Sequence, residues 1–131
     1  MPEVNLLAVL VAALAAFIVG GLWYGPLFGK RWQREAEIGD EQLKQVSPAK
    51  VFGLTLVLAL IAAYVFAVHL GPQPGLAFAA GRGFVVGVFF VATAFAINYL
   101  FAQRSLPLFL IDAGYNVLFF TAIGTVLGVW P

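Results

Sequence analysis

The stretch VNLLAVLVAALAAFIVGGLWY, residues Val4–Tyr24, decides the fold of this chain because it contains no charged side chain over its whole length. A helix needs roughly 20 apolar residues to cross about 30 Å of hydrocarbon, and this stretch is long enough. Three further apolar runs follow it, at Val51–Leu70, at about 77–101 and at Leu108–Trp130. The sequence therefore predicts four membrane-spanning helices.

The composition supports a membrane protein. Hydrophobic residues make up 63% of the chain and charged residues 10%, whereas soluble domains have roughly 45–50% and about 25%. A chain of 131 residues has too little interior to hide this much apolar surface, so the remainder is expected to face lipid. The net charge is only +1, whereas a nucleic-acid-binding protein usually has a strongly basic surface. The absence of cysteine excludes disulfides and thiolate metal sites.

We predict an all-α transmembrane four-helix bundle with helices at about 4–25, 50–70, 77–102 and 107–130, and a short interfacial helix at about 29–38. Residues 1–131 are expected to form a single integral membrane domain with one long loop at 26–50. Ser47 followed by Pro48 predicts the start of the second helix, because serine caps helix N-termini and proline suits the first helical position. Pro26 predicts that the first helix ends or kinks there.

The distribution of basic residues predicts the orientation. Loop 26–50 and the turn between the third and fourth helices share one face of the membrane, and they carry Lys30, Arg31, Arg34, Lys44, Lys50 and Arg104. The opposite face has only Arg82. Because basic residues concentrate on the cytoplasmic side, loop 26–50 is expected to be cytoplasmic and both termini outside.

Small residues recur at a spacing of four on the predicted spans. Such residues let helix backbones approach closely in lipid, where the hydrophobic effect does not drive helices together. They predict a tight bundle, with spare faces that would suit a homo-oligomer. The predicted packing positions are Ala8, Ala12, Ala16, Gly20, Gly83, Gly87, Gly124 and Gly128.

Asp112 is the one acidic residue inside a predicted span. An ionised side chain there costs about 2.5–3.5 kcal/mol, so it should face the bundle interior or water. The short turn between the third and fourth helices predicts that they are antiparallel neighbours. The candidate polar or ligand-binding cluster is therefore Asn98, Arg104, Asp112, Tyr115 and Asn116. Either Asp112 binds a proton or ligand, or Arg104 neutralises it and the pair fixes how these two helices meet.

Catalytic motifs are missing from the sequence. It has no phosphate-binding glycine loop, no G-x-S-x-G elbow and no H-E-x-x-H pair. The single histidine, His69, is expected at the opposite side of the membrane from Asp112. We therefore expect no catalytic residues, no metal site and no cofactor.

A faint internal repeat links the ends of the first and third helices. WYGPLFGKRW at 23–32 and NYLFAQRS at 98–105 share an aromatic residue, a Leu-Phe pair and basic residues in the same order. Two helical hairpins in parallel orientation would be consistent with duplication.

The segment LWYGPLFGKRW at 22–32 is typical of a membrane boundary, with aromatic residues at the interface and basic residues beyond it. Its interfacial motif residues are Trp23, Tyr24, Pro26, Gly29, Lys30 and Trp32. With the Gly114-Tyr115 pair, this segment resembles domain-of-unknown-function family 1761, although the spacing before Phe28 is more compact here. The resemblance implies a small four-span protein of the bacterial inner membrane and implies no activity.

The expected function is that of a non-enzymatic structural or partner subunit, surrounded by membrane lipid and forming a homo-oligomer. Another membrane protein is a possible partner, and nucleic acid is not. The alternative is a small transporter or channel that uses the polar site centred on Asp112.

Overall fold

The computed structural model describes residues 4–130, in which six helices and no strand form. In chain order the helices are α1 (Leu6–Leu27), α2 (Gly29–Ala36), α3 (Asp40–Lys44), α4 (Pro48–Leu70), α5 (Leu76–Phe101) and α6 (Leu106–Val129). Four of them, α1, α4, α5 and α6, are long and apolar enough to span a membrane. The predicted all-α fold with four spans is confirmed, and it places the chain in a membrane.

Three spans begin at a side chain that caps the helix. Asn5 Oδ1 accepts a hydrogen bond from the backbone of α1 at 3.1 Å, Ser47 Oγ does so for α4 at 3.3 Å and Ser105 Oγ for α6 at 3.2 Å. Pro48 and Pro107 lie in the first turns of α4 and α6, where a missing N–H removes no helical bond. The cap predicted at Ser47 is confirmed.

The last turn of α1 is wider than an α-helix. Over Trp23–Leu27 the backbone forms a π-helical turn, and Phe28 N–H donates to Trp23 O at 2.8 Å, five residues back. Pro26 lies inside this turn and has no N–H to donate, which explains why the regular pattern fails here. Of the two predicted outcomes, an end or a kink at Pro26, the helix does not end there: it becomes irregular at this turn and continues to Leu27.

The chain turns sharply from α1 into α2, and Gly29 makes this possible. A Cβ at Gly29 would collide with the carbonyl oxygen of Tyr24. Only glycine fits at this close approach, so α2 starts immediately after α1 ends. The predicted interfacial helix at about 29–38 is observed at Gly29–Ala36.

The spans pack in the order α4, α1, α6, α5. Helix α6 lies between α1 and α5, and α1 lies between α4 and α6. The predicted pairing of the third and fourth spans, α5 and α6, is therefore observed. Although a short turn connects α4 to α5, these two helices scarcely touch, and the bundle is open along that side.

The predicted small residues all lie where two helices of this chain meet. Ala8, Ala12 and Ala16 of α1 are buried in the core shared with α4 and α6. On the other side of α6 the approach is closer, since a Cβ at Gly83 or Gly124 would collide with a backbone carbonyl of the facing helix. Gly20, Gly87 and Gly128 also face close neighbours, namely Tyr115, Val117 and Leu76. The faces that carry these small residues therefore pack against other helices of the same chain.

The outer surface of the spans is apolar. Thirty large hydrophobic side chains are exposed between residues 4 and 130, which is far more than the scattered exposure of soluble proteins. Leu100 and Phe101, at the end of α5, expose 78% and 86% of their surface. Lipid is the phase that such a surface requires.

Candidate functional site

Asp112 is the only charged residue of the described chain that is buried. It lies on α6 six residues after Leu106, which is about 9 Å along the helix axis at a rise of 1.5 Å per residue. Its exposed fraction is 9%. A carboxylate that is buried to this extent needs hydrogen-bond partners, because leaving a buried polar group unpaired is costly.

Both oxygens of the Asp112 carboxylate accept a hydrogen bond from a tyrosine. The hydroxyl of Tyr24 donates to Oδ1 at 2.6 Å, and the hydroxyl of Tyr99 donates to Oδ2. Tyr24 belongs to α1 and Tyr99 to α5, so one side chain of α6 connects three spans. Each carboxylate oxygen therefore has a hydrogen-bond partner on a neighbouring span.

Trp23 makes a second contact between α1 and α6. Its indole Nε1–H donates to the carbonyl oxygen of Ile111 at 2.8 Å. The indole ring lies against Gly114, where an added Cβ would be 2.9 Å from Trp23 Cζ2. The glycine thus leaves the space that the ring occupies, one helical turn from Ile111.

Aromatic rings enclose the Tyr24 hydroxyl bond. The rings of Tyr24 and Tyr115 meet edge to face with centroids 5.1 Å apart, and the ring of Trp32 on α2 meets Tyr24 edge to face at 5.8 Å. Tyr99 packs similarly between Phe95 and Phe109. These edge-to-face contacts are the favoured geometry of aromatic pairs, and they hold the two hydroxyls at the carboxylate.

Two of the predicted cluster residues lie beside Asp112, and both are on its own helix. Tyr115 contacts Tyr24, and Asn116 Nδ2 donates to the backbone carbonyl of Asp112 at 2.9 Å. The Asn116 amide therefore bonds within α6 and does not reach the carboxylate.

The other two predicted residues lie elsewhere, and this corrects the cluster. Asn98 is exposed, and its neighbour Tyr99 occupies the position facing Asp112. Arg104 forms no salt bridge with Asp112 within residues 4–130, and its Nη2 donates to the carbonyl oxygen of Ala36 at 2.9 Å. Arg104 follows the end of α5 in the turn, where the C-terminus of α2 is the nearer acceptor.

Trp23 and Tyr24 were predicted as interfacial residues, and Tyr99 was not among the predicted site residues. One signal in the sequence does find it. In the internal repeat, WYGPLFGKRW aligned with NYLFAQRS pairs Tyr24 with Tyr99, and these are the two tyrosines that donate to Asp112. The repeat therefore marks equivalent positions on two helices that flank α6.

Helix α2 is fastened beside the cluster by polar contacts outside the spans. Ser105 Oγ donates to Glu35 Oε1 at 2.7 Å, and Arg31 forms an ion pair with Glu35 at 3.3 Å. The Ser105 hydroxyl, followed by the nearby Arg31 charge, holds the pKa of Glu35 below its usual value. Together with the Arg104 bond to Ala36, these contacts keep Trp32 against Tyr24.

No group of three or more His, Asp or Glu side chains within residues 4–130 is placed to hold a metal ion. The fold and the cluster define a small membrane protein with four spans whose end is held by a buried carboxylate and two tyrosines. The chain belongs to the DUF1761 family of proteins of unknown function, whose family model matches residues 7–128. No curated protein and no solved structure matches the chain.

Proposed function

We propose that this chain is a non-enzymatic subunit of a membrane assembly, in which the Asp112 cluster serves to hold the helices together. The observation that carries the proposal is that both carboxylate oxygens of Asp112 are bonded to hydroxyls of the same chain. Each bond ties the carboxylate to a different span, Tyr24 on α1 and Tyr99 on α5, so the acidic side chain of α6 joins three helices.

Two clefts on the surface of the bundle lie away from Asp112, which supports the same proposal. Two clefts, of about 490 and 500 Å³, open on the described surface, and neither is lined by Asp112, Tyr24 or Tyr99. Solute pathways are normally lined by the ionisable groups that serve them. Asp112 instead lies among aromatic rings, where its bonds fix how three helices meet.

Assembly as a homo-oligomer is supported by two glycines that the bundle leaves unused. Gly21 and Gly25, four residues apart near the end of α1, are exposed, and an added Cβ would meet nothing within 4 Å at either position. Small residues at this spacing favour close helix contacts in lipid. We propose that a second copy of the chain packs here.

The orientation in the membrane is also a proposal. The α2 end carries six basic residues and the other end of the spans carries Arg82, and basic residues favour the cytoplasmic side. The proposed location is the bacterial inner membrane with α2 in the cytoplasm and both termini outside.

A small proton-coupled transporter is the second candidate, favoured by the fact that Asp112 is ionisable and buried within a span. One experiment separates the two. The purified chain and its Asp112→Asn variant would be reconstituted in liposomes that contain a pH-sensitive dye, with empty liposomes as the baseline. We expect both proteins to leave proton flux at the baseline after a pH step.

A flux that the wild-type chain supports and Asp112→Asn abolishes would overturn the structural proposal in favour of transport. Tyr64→Phe is the matched control, since Tyr64 lies on the exposed side of α4 away from the cluster. It should behave as the wild type in either case.

A further inference from the structure

The open side of the bundle contains a cleft between α4 and α5. It is lined by residues from position 62 to 70 of α4 and from position 78 to 86 of α5, with Phe120 of α6 at its floor. Its volume is about 500 Å³. The cleft exists because α4 packs on α1 and α5 packs on α6, so the two helices that a short turn connects stay apart.

Most of the wall is apolar. Val65 and Val86 line the two sides, and Phe120 meets Phe66 with ring centroids 6.3 Å apart. An apolar slot of this kind offers water few hydrogen-bond partners. If it stayed empty, the lining atoms would lose their dispersion contacts. In a membrane the adjacent material is an acyl chain, which fits both the shape and the chemistry.

The guanidinium of Arg82 and the imidazole of His69 line the same cleft. Arg82 is exposed, and its guanidinium carbon lies 5.1 Å from the centroid of the Phe78 ring. Within residues 4–130 the observed salt bridges are Arg31–Glu35 and Lys44–Glu41, so no described carboxylate neutralises Arg82. A cation in a span is costly unless an anion accompanies it. Its long side chain can reach toward the headgroup region while its stem covers apolar surface.

We propose that this cleft binds a membrane lipid with an anionic headgroup, whose phosphate pairs with Arg82 and whose acyl chain lies against Phe120 and the valines. The positive charge of Arg82 complements the negative charge of a lipid phosphate. At the end of the bundle that holds the α4–α5 turn, Arg82 is the one Lys or Arg of the sequence. A basic side chain near the membrane surface favours an anionic headgroup by about 1 kcal/mol. The guanidinium also supplies paired N–H donors that match phosphate oxygens.

The test uses the full chain purified in detergent and titrated with phosphatidylglycerol or phosphatidylcholine, with bound lipid counted by native mass spectrometry. The wild type is expected to retain phosphatidylglycerol better than phosphatidylcholine. Arg82→Gln should lower this preference about fivefold, as one basic contact provides. Arg34→Gln is the control, because Arg34 is exposed on α2 and does not line the cleft. This variant should keep the preference for phosphatidylglycerol.

A second variant tests the acyl chain separately from the charge. Ala62 lines the cleft, and Ala62→Trp would fill the slot without changing any charge. We expect it to reduce the retention of both lipids severalfold. Equal retention of the two lipids by the wild type, an unchanged preference in Arg82→Gln, or the same loss in Arg34→Gln would each overturn the proposal. If Arg82→Gln does not fold, the wild-type preference and the Ala62→Trp result decide it.

Discussion

The indole ring of Trp23 lies so close to Gly114 that a Cβ at position 114 would be 2.9 Å from Trp23 Cζ2. This contact places the indole N–H on the Ile111 carbonyl and brings the next residue, Tyr24, to Asp112. The glycine is therefore part of the geometry of the buried carboxylate, although it has no polar side chain.

Gly114→Ala is expected to destabilise the bundle. The added methyl group would push the Trp23 ring away and weaken its bond to Ile111, and overpacking of this kind costs typically 1–3 kcal/mol. Thermal unfolding in detergent, followed by tryptophan fluorescence, measures the loss. Gly53→Ala is the matched control, because a Cβ at Gly53 meets nothing within 4 Å and alanine favours helix. Equal midpoints for both variants would contradict the proposed role of Gly114.

Tyr24→Phe and Tyr99→Phe should each lower stability by about 0.5–2 kcal/mol, the range for hydrogen bonds between membrane helices. In the Asp112→Asn background the same substitutions should cost clearly less, since asparagine has one acceptor oxygen in place of the two of the carboxylate. A double-mutant cycle of unfolding midpoints measures this coupling. Tyr64→Phe should change little, because Tyr64 is exposed on α4. Fully additive effects would mean that the tyrosines do not act through Asp112.

The contact between Glu35 and Ser105 predicts a pH dependence of α2 docking. Because the folded pKa of Glu35 is below its usual 4.5, the ionised side chain adds stability that is fully present above that value. This contribution is lost as the pH falls through the lower folded pKa, where the carboxylate gains a proton. Glu35→Gln should therefore be less stable than the wild type at pH 6, and the difference should disappear under more acidic conditions.

Hydrogen exchange of the α2 amides measures this effect across the pH range. Glu37→Gln is the control, since Glu37 is exposed and forms no salt bridge within residues 4–130. A wild-type advantage that persists unchanged well below pH 4 would show that the ionised Glu35 is not its source.

The proposed oligomer predicts an effect of bulk at Gly21. Gly21→Leu should lower the sedimentation mass of the purified chain toward that of a monomer, while thermal stability stays near the wild-type value because the position is open within the chain. Gly81→Leu places the same bulk at an open position on α5 and should leave the mass unchanged. A monomeric wild type, or an unaltered mass in Gly21→Leu, would remove this part of the proposal.

The absence of native cysteine permits a direct test of orientation. A cysteine at Gln42 on α3 and one at Gln73 in the α4–α5 turn, each exposed, should react with a membrane-impermeant maleimide from opposite sides. We expect intact cells to label position 73 and not position 42. Labelling of position 42 from outside would reverse the proposed orientation.

Local features of the fold were predictable from the sequence. Each span is encoded by its own length and apolarity, and the cap at Ser47 depends on residues adjacent to it. The contact between Arg31 and Glu35 follows from their spacing of four on one helix. None of these features depends on how distant parts of the chain meet.

The partners of Asp112 depend on the rotation of other helices and were harder to predict. Helix α5 contains a π-helical segment at Gly87–Ala92, and the extra residue in such a segment turns the following residues by about 100° around the axis. That rotation bears directly on whether Asn98 or Tyr99 faces α6. The hydrogen-bond partner of Arg104 depends on the position of α2. That position depends in turn on the π-helical turn at Pro26.

The bonds that Trp23 and Tyr24 make to α6 each join residues 88 positions apart. Since the chain is synthesised from its N-terminus, α1 enters the membrane long before its polar partners on α6 exist. Tyr99 likewise gains its hydrogen-bond acceptor only after Asp112 has been synthesised. The last span is therefore the step that completes assembly, and a chain truncated before residue 111 would leave three polar aromatic side chains without their acceptors.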